Sequence, residues 1–176
     1  NKKNLNLLDS PMIFKTKNYK DIRDKVDAVS IVTPTVTHFK IAKYFLENKI
    51  PVLLEKPMTE TLRQAKILNN LAKKNKCILQ IGHLEQFNPA VKKLRLQLDK
   101  PEFIEVHRLC KFNPRATDVD VVLDLMIHDI DIVLSLIDKS IKKISVSGKK
   151  VITKLIDIAN VRIEFEDNIV ANLTAS

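Results

Sequence analysis

The feature that most constrains the fold is an alternation of short apolar runs with longer amphipathic segments. Residues 28–32, 52–54 and 77–81 are mainly apolar runs of strand length. Between these runs, apolar side chains recur at helical spacing in residues 35–48 and 61–76. Such alternation is typical of a parallel sheet with helices on its faces. We therefore predict an α/β fold in which residues 1–100 form the C-terminal half of a Rossmann-type doubly wound domain.

Polar residues at the ends of the helical segments predict where the helices begin and end. Thr35 or Thr37 is available as the N-cap of the first helix, and Asn48 lies near its end. Thr61 and Gln64 have the spacing of a capping box at the start of the second helix.

The second part of the chain has a different pattern. A helix is expected over residues 88–98, a strand over 103–109 and a long apolar helix over 121–137, followed by strands from residue 141 onward. Apolar residues alternate with polar ones from Val161 to Phe165, as in a half-exposed antiparallel sheet. We predict that residues 101–176 form an incomplete α+β domain with a mainly antiparallel sheet.

Composition makes several classes of protein poor candidates. The formal charge is +9, but no helix-turn-helix, zinc-finger or RNP pattern accompanies the lysines, so we expect solvated lysines and no nucleic-acid partner. The apolar runs are too short for a membrane span. Cys77 and Cys110 show neither metal nor disulfide spacing, so a cytoplasmic protein is expected.

Polar or conformationally restricted residues follow each predicted parallel strand. These triplets and pairs are Thr33-Pro34-Thr35, Glu55-Lys56-Pro57 and Gly82-His83. Ligands in open parallel sheets bind beyond the carboxyl ends of the strands. A compact cation at Lys56 would favour the alkoxide form of a substrate hydroxyl. The alternatives are that each proline only ends a strand and that Lys56 is a solvated loop lysine.

One polar stripe runs along the otherwise apolar helix of the second part. Its members are Asp120, Asp124, His128, Asp131 and Ser135. In an α-helix Asp124 reaches His128 one turn later, where it would orient the imidazole as a general base. The alternatives are a core histidine satisfied by a nearby acid, and Asp118 or Asp120 as an ordinary N-cap. No third or fourth ligand for zinc is evident, so no metal is expected.

These residues resemble the motifs of the glucose-fructose oxidoreductase, inositol dehydrogenase and MocA family (Gfo/Idh/MocA). The motifs that carry the resemblance are Asp27-Ala28-Val29 leading to Thr33-Pro34 with His38, Glu55-Lys56-Pro57, and Asp124-x-x-x-His128-x-x-Asp131. Their order and their strand or helix context make the match specific, and the match spans nearly the whole chain.

The resemblance implies a dehydrogenase that passes hydride from a sugar hydroxyl carbon to NAD, with NADP not excluded. It implies that Lys56, Asp124 and His128 are catalytic and that His128 takes the hydroxyl proton. The implied cofactor contacts are Thr33, Pro34, Thr35, His38, Glu55, Lys56 and Gln86. It also implies that residues 101–176 serve substrate binding and oligomerisation, with a homo-oligomer that assembles through the second-domain sheet.

Two stretches, residues 82–89 and 118–129, are similar to those of bacterial UDP-N-acetylglucosamine 3-dehydrogenases. This narrower resemblance implies a negatively charged nucleotide sugar as the substrate. Arg108, Lys111, Arg115 and Asn88 are the candidate substrate contacts, the three cations for the diphosphate. The alternative for these cations is ordinary surface charge.

Two features depart from the family pattern. Met126 stands where many members have glycine between the catalytic Asp and His. The chain has only two glycines, Gly82 and Gly148, so the Gly-x-Gly-x-x-Gly turn that holds the cofactor pyrophosphate has no counterpart. We therefore expect a fragment truncated at both ends, and the alternative function is an inactive fragment or a non-enzymatic binding module.

Overall fold

The computed structural model describes residues 13–111 and 119–176. The chain divides into two compact units, Asn1–Ile81 and Gly82–Ser176. This division lies earlier than the predicted boundary at residue 100. The reason is that Gln86, soon after the last strand of the first unit, bonds to Asp131 in the second unit's helix.

The first unit is built on a three-stranded parallel sheet. After a 3₁₀ segment, Tyr19–Lys25, the elements are β1 (Val29–Ile31), α1 (Thr35–Glu47), β2 (Val52–Leu54), α2 (Leu62–Asn75) and β3 (Leu79–Ile81). The strands are ordered β1-β2-β3, with Val29 opposite Val52 and Val52 opposite Leu79. The parallel sheet and its alternating helices agree with the prediction.

Both helices pack on one face of this sheet, whereas the sequence pattern predicted helices on its faces. The core joins Ile31, Val52 and Leu54 to apolar residues of the helices, including Phe45 and Leu68. Crossover connections between parallel strands are right-handed, so consecutive strand order places successive helices on the same side. On the opposite face, Ser30, Leu53 and Gln80 are exposed.

The helix ends in this unit match the predicted signals in part. Thr61 caps α2 by accepting a hydrogen bond from the Gln64 N–H at 3.3 Å, and α1 ends at Asn48 as predicted. Neither predicted N-cap serves α1, because the helix begins directly after Pro34 with Thr35 already helical. The Thr37 hydroxyl instead donates to the Pro34 carbonyl at 2.8 Å.

The second unit packs the helical segment of residues 122–136 against a four-stranded mixed sheet. Its elements are a 3₁₀ turn (Leu84–Phe87), α3 (Pro89–Gln97), β4 (Phe103–Arg108), a π turn (Val122–Met126), α4 (Ile127–Leu136), β5 (Ile141–Lys149), β6 (Ile158–Phe165), a 3₁₀ turn (Glu166–Asn168) and β7 (Val170–Ala175). The strand order is β4-β7-β6-β5. Two of the three pairings are antiparallel, while β4 pairs with β7 in parallel.

Alternation along β6 and β7 sets the core of the second unit. Val161, Ile163 and Phe165 point inward, as predicted, and pack with Leu173 of β7 and Met126 of the π turn. The residues between them, such as Arg162, face outward and are polar.

The long apolar helix predicted over residues 121–137 is not a uniform α-helix. Residues Val122–Met126 form a π turn, and the α-helix proper begins at Ile127. The Asp120 carboxylate accepts hydrogen bonds from the N–H groups of Val122 and Leu123 at 3.1 and 3.0 Å. Asp120 is therefore an N-cap, as one of the two interpretations of the sequence expected, while Asp118 lies outside the described residues.

Candidate active site

In the first unit, the loops after β1 and β2 lie side by side. The two strands are parallel neighbours, so their carboxyl ends meet at the same edge of the sheet. The Glu55 N–H donates a hydrogen bond to the Ile31 carbonyl at 3.1 Å, which joins the start of one loop to the end of the other strand. The fold thus brings the Thr33–Thr35 and Glu55–Pro57 segments together.

Lys56 is half-buried in the second of these loops. Its N–H donates to the Glu55 carboxylate at 3.2 Å, and the peptide bond between Lys56 and Pro57 is cis. Thr33 and Pro34 in the neighbouring loop are exposed and available to a ligand. Thr35, by contrast, is buried, so its side chain faces the protein interior and only its backbone remains for the predicted cofactor contact.

His38 connects the two loops from the first turn of α1. Its ring is 1% exposed, with Nδ1 at 2.9 Å from the Pro57 carbonyl oxygen and Nε2 at 2.8 Å from the Thr33 carbonyl oxygen. Both nitrogens therefore have partners within the protein. The ring is not available for the direct cofactor contact that the family resemblance implies.

In the second unit, the predicted catalytic pair lies at the junction between the π turn and α4. Asp124 belongs to the π turn and His128 to the first turn of α4, and both side chains are half-buried. Isolated π turns within helices occur frequently at functional sites. The orientation of His128 by Asp124 stays a prediction.

A second imidazole and carboxylate pair involves the same helix. The Gln86 amide donates to the Asp131 carboxylate, and the His83 Nδ1 lies 3.8 Å from the other Asp131 oxygen. Gln86 was predicted to contact the cofactor, but its amide group is used to hold Asp131. Asp131 belongs to the polar stripe predicted from the sequence, but the stripe indicates neither of these partners.

A buried ion pair fixes α4 to β4. Arg108 Nε and Nη2 donate to the two oxygens of Asp129 at 2.8 and 2.6 Å. The hydrogen bond to Asp129 raises the pKa of the Arg108 guanidinium above its usual value. Arg108 was predicted to bind a substrate diphosphate, but in this structure its bidentate face is bound to Asp129, a buried acid that sequence analysis missed. The signal was that Arg108 continues the inward alternation of Ile104 and Val106.

A cavity of about 160 Å³ opens beside Asp124 within the second unit. Apolar side chains, among them Val121, Leu125 and Ile156, form much of its lining. Lys111, predicted to bind a diphosphate, also lines it. The fold therefore places one predicted catalytic residue and one predicted substrate contact around the same space.

Comparisons with known proteins bear on both units. Residues 1–83 match the family model described as "Oxidoreductase family, NAD-binding Rossmann fold" of GFO/IDH/MocA, and residues 95–176 match the GFO/IDH/MocA C-terminal domain. The chain belongs to the Gfo/Idh/MocA family. The predicted fold class, a Rossmann-type domain followed by a domain with antiparallel strands, is confirmed.

Individual members of the Gfo/Idh/MocA family are similar over most of this chain. A UDP-N-acetylglucosamine 3-dehydrogenase of Acidithiobacillus ferrooxidans is 39% identical over 86% of the chain and 49% of that protein. The solved structure of GnnA, a UDP-N-acetylglucosamine 3-dehydrogenase from the same organism, matches with a TM-score of 0.85 and 36% identity, covering 92% of this chain and 52% of that one. An inositol 2-dehydrogenase of Mycolicibacterium smegmatis is 30% identical over 69% of the chain and 37% of that protein.

The chain spans about half the length of the curated relatives that it matches. Their activities are therefore a basis for proposals about this Gfo/Idh/MocA chain. In the described ranges, 13–111 and 119–176, no helix is long and apolar enough to cross a membrane, and no group of three or more metal-binding side chains occurs.

The residues present fit one part of a dinucleotide better than another. Thr33 and Pro34 are exposed just beyond the carboxyl end of β1, the edge at which ligands of parallel sheets bind. The two glycines, after β3 and within β5, do not form a Gly-rich turn for the pyrophosphate. Asn88, a predicted substrate contact, caps α3 by accepting from the Ala90 N–H at 2.9 Å, and Arg115 lies outside the described residues.

Proposed function

We propose that this chain carries the catalytic residues of an NAD-dependent dehydrogenase that oxidises a hydroxyl of a sugar or nucleotide sugar. Lys56 is the observation on which the proposal depends most. It lies at the carboxyl end of a parallel strand, between Glu55, which is hydrogen-bonded to the end of β1, and Pro57, which is hydrogen-bonded to His38 of α1. A lysine placed in this way has little freedom to leave the ligand-binding edge of the sheet.

The proposed chemistry divides the oxidation between three side chains. The Lys56 ammonium donates a hydrogen bond to the reacting hydroxyl and stabilises negative charge on its oxygen. His128 takes the hydroxyl proton, and Asp124 favours the charged ring that results. When bound, NAD accepts the hydride that leaves the carbon, so the alcohol becomes a ketone while one proton is released.

UDP-N-acetylglucosamine, oxidised at C3, is the proposed substrate. The 39% identical relative carries this activity in its name, and the GnnA structure has a TM-score of 0.85. The cavity beside Asp124 has Lys111 and also Asp157 in its lining, so the proposal of an anionic substrate rests on these relatives. Inositol is the second candidate, because relatives 30% identical to this chain are named inositol 2-dehydrogenases. The proposed assembly is a homo-oligomer.

The test uses the complete product of the gene that encodes these residues. NADH formation is followed with NAD or NADP and with UDP-N-acetylglucosamine, UDP-glucose or inositol as the second substrate. Replacing Lys56 by Met should lower kcat by about 10²- to 10³-fold, the effect of removing one preorganised donor. Lys40→Met, an exposed lysine of α1, is the control and should leave kcat unchanged.

Two results would contradict the proposal. The first is no NADH formation with any of these substrates by the folded wild-type protein. The second is a Lys56→Met variant that retains kcat within about fivefold of the wild type, because a preorganised donor is worth more than that.

A further inference from the structure

His38 makes two hydrogen bonds to the carbonyl oxygens of residues far apart in the sequence, and neither bond belongs to regular secondary structure. The ring reaches back 5 residues to Thr33 and forward 19 residues to Pro57. Carbonyl oxygens only accept hydrogen bonds, so the imidazole is the donor in this arrangement. At 1% exposure, water cannot replace either partner without a rearrangement.

The two carbonyls are those that flank the proposed cofactor and catalytic segments. Thr33 precedes the exposed Pro34, and Pro57 directly follows Lys56. On the other side of Lys56, the Glu55 N–H is bonded to the Ile31 carbonyl at 3.1 Å. Lys56 therefore lies between two residues whose backbones are both held, Glu55 by the end of β1 and Pro57 by His38 of α1.

We propose that His38 is a positioning residue that fixes the Lys56 loop against the Thr33–Thr35 loop and so sets the place of the Lys56 amine. This inference rests on the proposed function of Lys56. In this proposal His38 does not contact the cofactor directly. It acts on the position of Lys56 through its bond to the Pro57 carbonyl.

The proposal is tested with His38→Phe, which keeps an aromatic ring of similar size and removes both ring nitrogens. We expect the loss of the two bonds to raise amide hydrogen exchange in residues 55–59 and 33–37 by about tenfold, while the amides of β6 and β7 exchange as before. In the active enzyme, kcat should fall by about 10- to 100-fold because misplacement of a catalytic group acts on the chemical step. The KM for the sugar should change less than about threefold, so the effect should fall mainly on kcat.

Two further variants separate positioning from general destabilisation. His38→Asn keeps one amide donor and should recover part of the lost kcat; it is also the variant to measure if His38→Phe does not fold. His107→Ala removes an exposed histidine of β4 that pairs with the exposed Glu105, and it should change neither loop exchange nor kcat.

The proposal is overturned if His38→Phe, or His38→Asn in its place, shows wild-type exchange in both loops. It is also overturned if kcat stays within about twofold of the wild type. Failure of the proposed function is a separate result. In that case the wild-type protein forms no NADH with any substrate, but hydrogen exchange still shows whether His38 holds the two loops.

Discussion

Removing the guanidinium of Arg108 should destabilise the second unit more than any exposed charge substitution. Asp129 is 4% exposed at its side chain, and both of its oxygens accept from Arg108, which is 33% exposed. Arg108→Met keeps the length of the side chain and leaves a buried carboxylate without its cation. Breaking a buried pair in this way typically costs 3–5 kcal/mol. Because Arg108 is partly exposed and water can enter on its side, we expect about 3 kcal/mol, the lower end of that range.

The assay is urea unfolding followed by far-ultraviolet circular dichroism, together with hydrogen exchange of the β6 and β7 amides. The sequence has no tryptophan and both tyrosines belong to the first unit, so intrinsic fluorescence would not report on this pair. Arg108→Met should lower the free energy of unfolding and speed exchange in these two strands. The control Arg162→Met removes one member of an exposed pair with Glu164 and should cost less than about 1 kcal/mol.

A double substitution checks the physical reason. Arg108→Met with Asp129→Leu removes both charges, so no unpaired carboxylate remains, and the double variant should be more stable than Arg108→Met alone. Equal effects of Arg108→Met and Arg162→Met would show that the buried charge is not the cause. The reasoning is also refuted if the loss of stability in the double variant equals the sum of the losses in Arg108→Met and Asp129→Leu.

Two other predictions concern the β5–β6 connection. The pKa of Asp157 is lowered by hydrogen bonds from the Thr153 and Val151 N–H groups, the Thr153 hydroxyl and the Ile152 N–H. A lowered folded pKa gives stability that is present at neutral pH and is lost as the pH falls below about 4, the unfolded value. The rate of cleavage of residues 150–157 by pepsin should therefore increase steeply towards acid pH in the wild type. After correction for the pH dependence of pepsin itself, the rate for Asp157→Asn should change little with pH. Gly148→Ala should lower stability by about 1–3 kcal/mol, because the new Cβ would lie 2.9 Å from the Ile156 Cγ2. In urea melts Gly148→Ala should cost less in an Ile156→Ala background than in the wild type, and an equal cost in both backgrounds would rule out the clash.

Strand and helix patterns were sufficient to predict most elements of the fold. The alternation in β6 and the Thr61 cap of α2 follow from local spacing, so they can be derived from the sequence. The start of α1 could not be, since Pro34 and its neighbours offer competing signals. The placement of both helices on one face of the first sheet depends on strand order, which periodicity does not contain.

The candidate site was predictable in its residue types but not in its internal bonds. Lys56 and the exposed Thr33 were found because they follow apolar strands. The sequence does not indicate whether the His38 ring contacts a cofactor or two carbonyl oxygens. Only the fold shows that its partners are the carbonyl oxygens of Thr33 and Pro57. Asp129 was missed for a related reason, since its cation lies 21 residues away in another element.

The π turn at Val122–Met126 makes chain length itself a determinant of the candidate chemistry. Removing one residue there would make the segment an ordinary α-helix. The helical residues before the deletion would then rotate about the helix axis by about 100° relative to His128, because each residue of an α-helix turns by about that angle. Asp120 and Asp124 would then leave their present faces although no side chain had been replaced. Within this segment, a deletion is therefore more damaging than most substitutions, and any redesign of the helix should preserve the number of residues before it alters their identity.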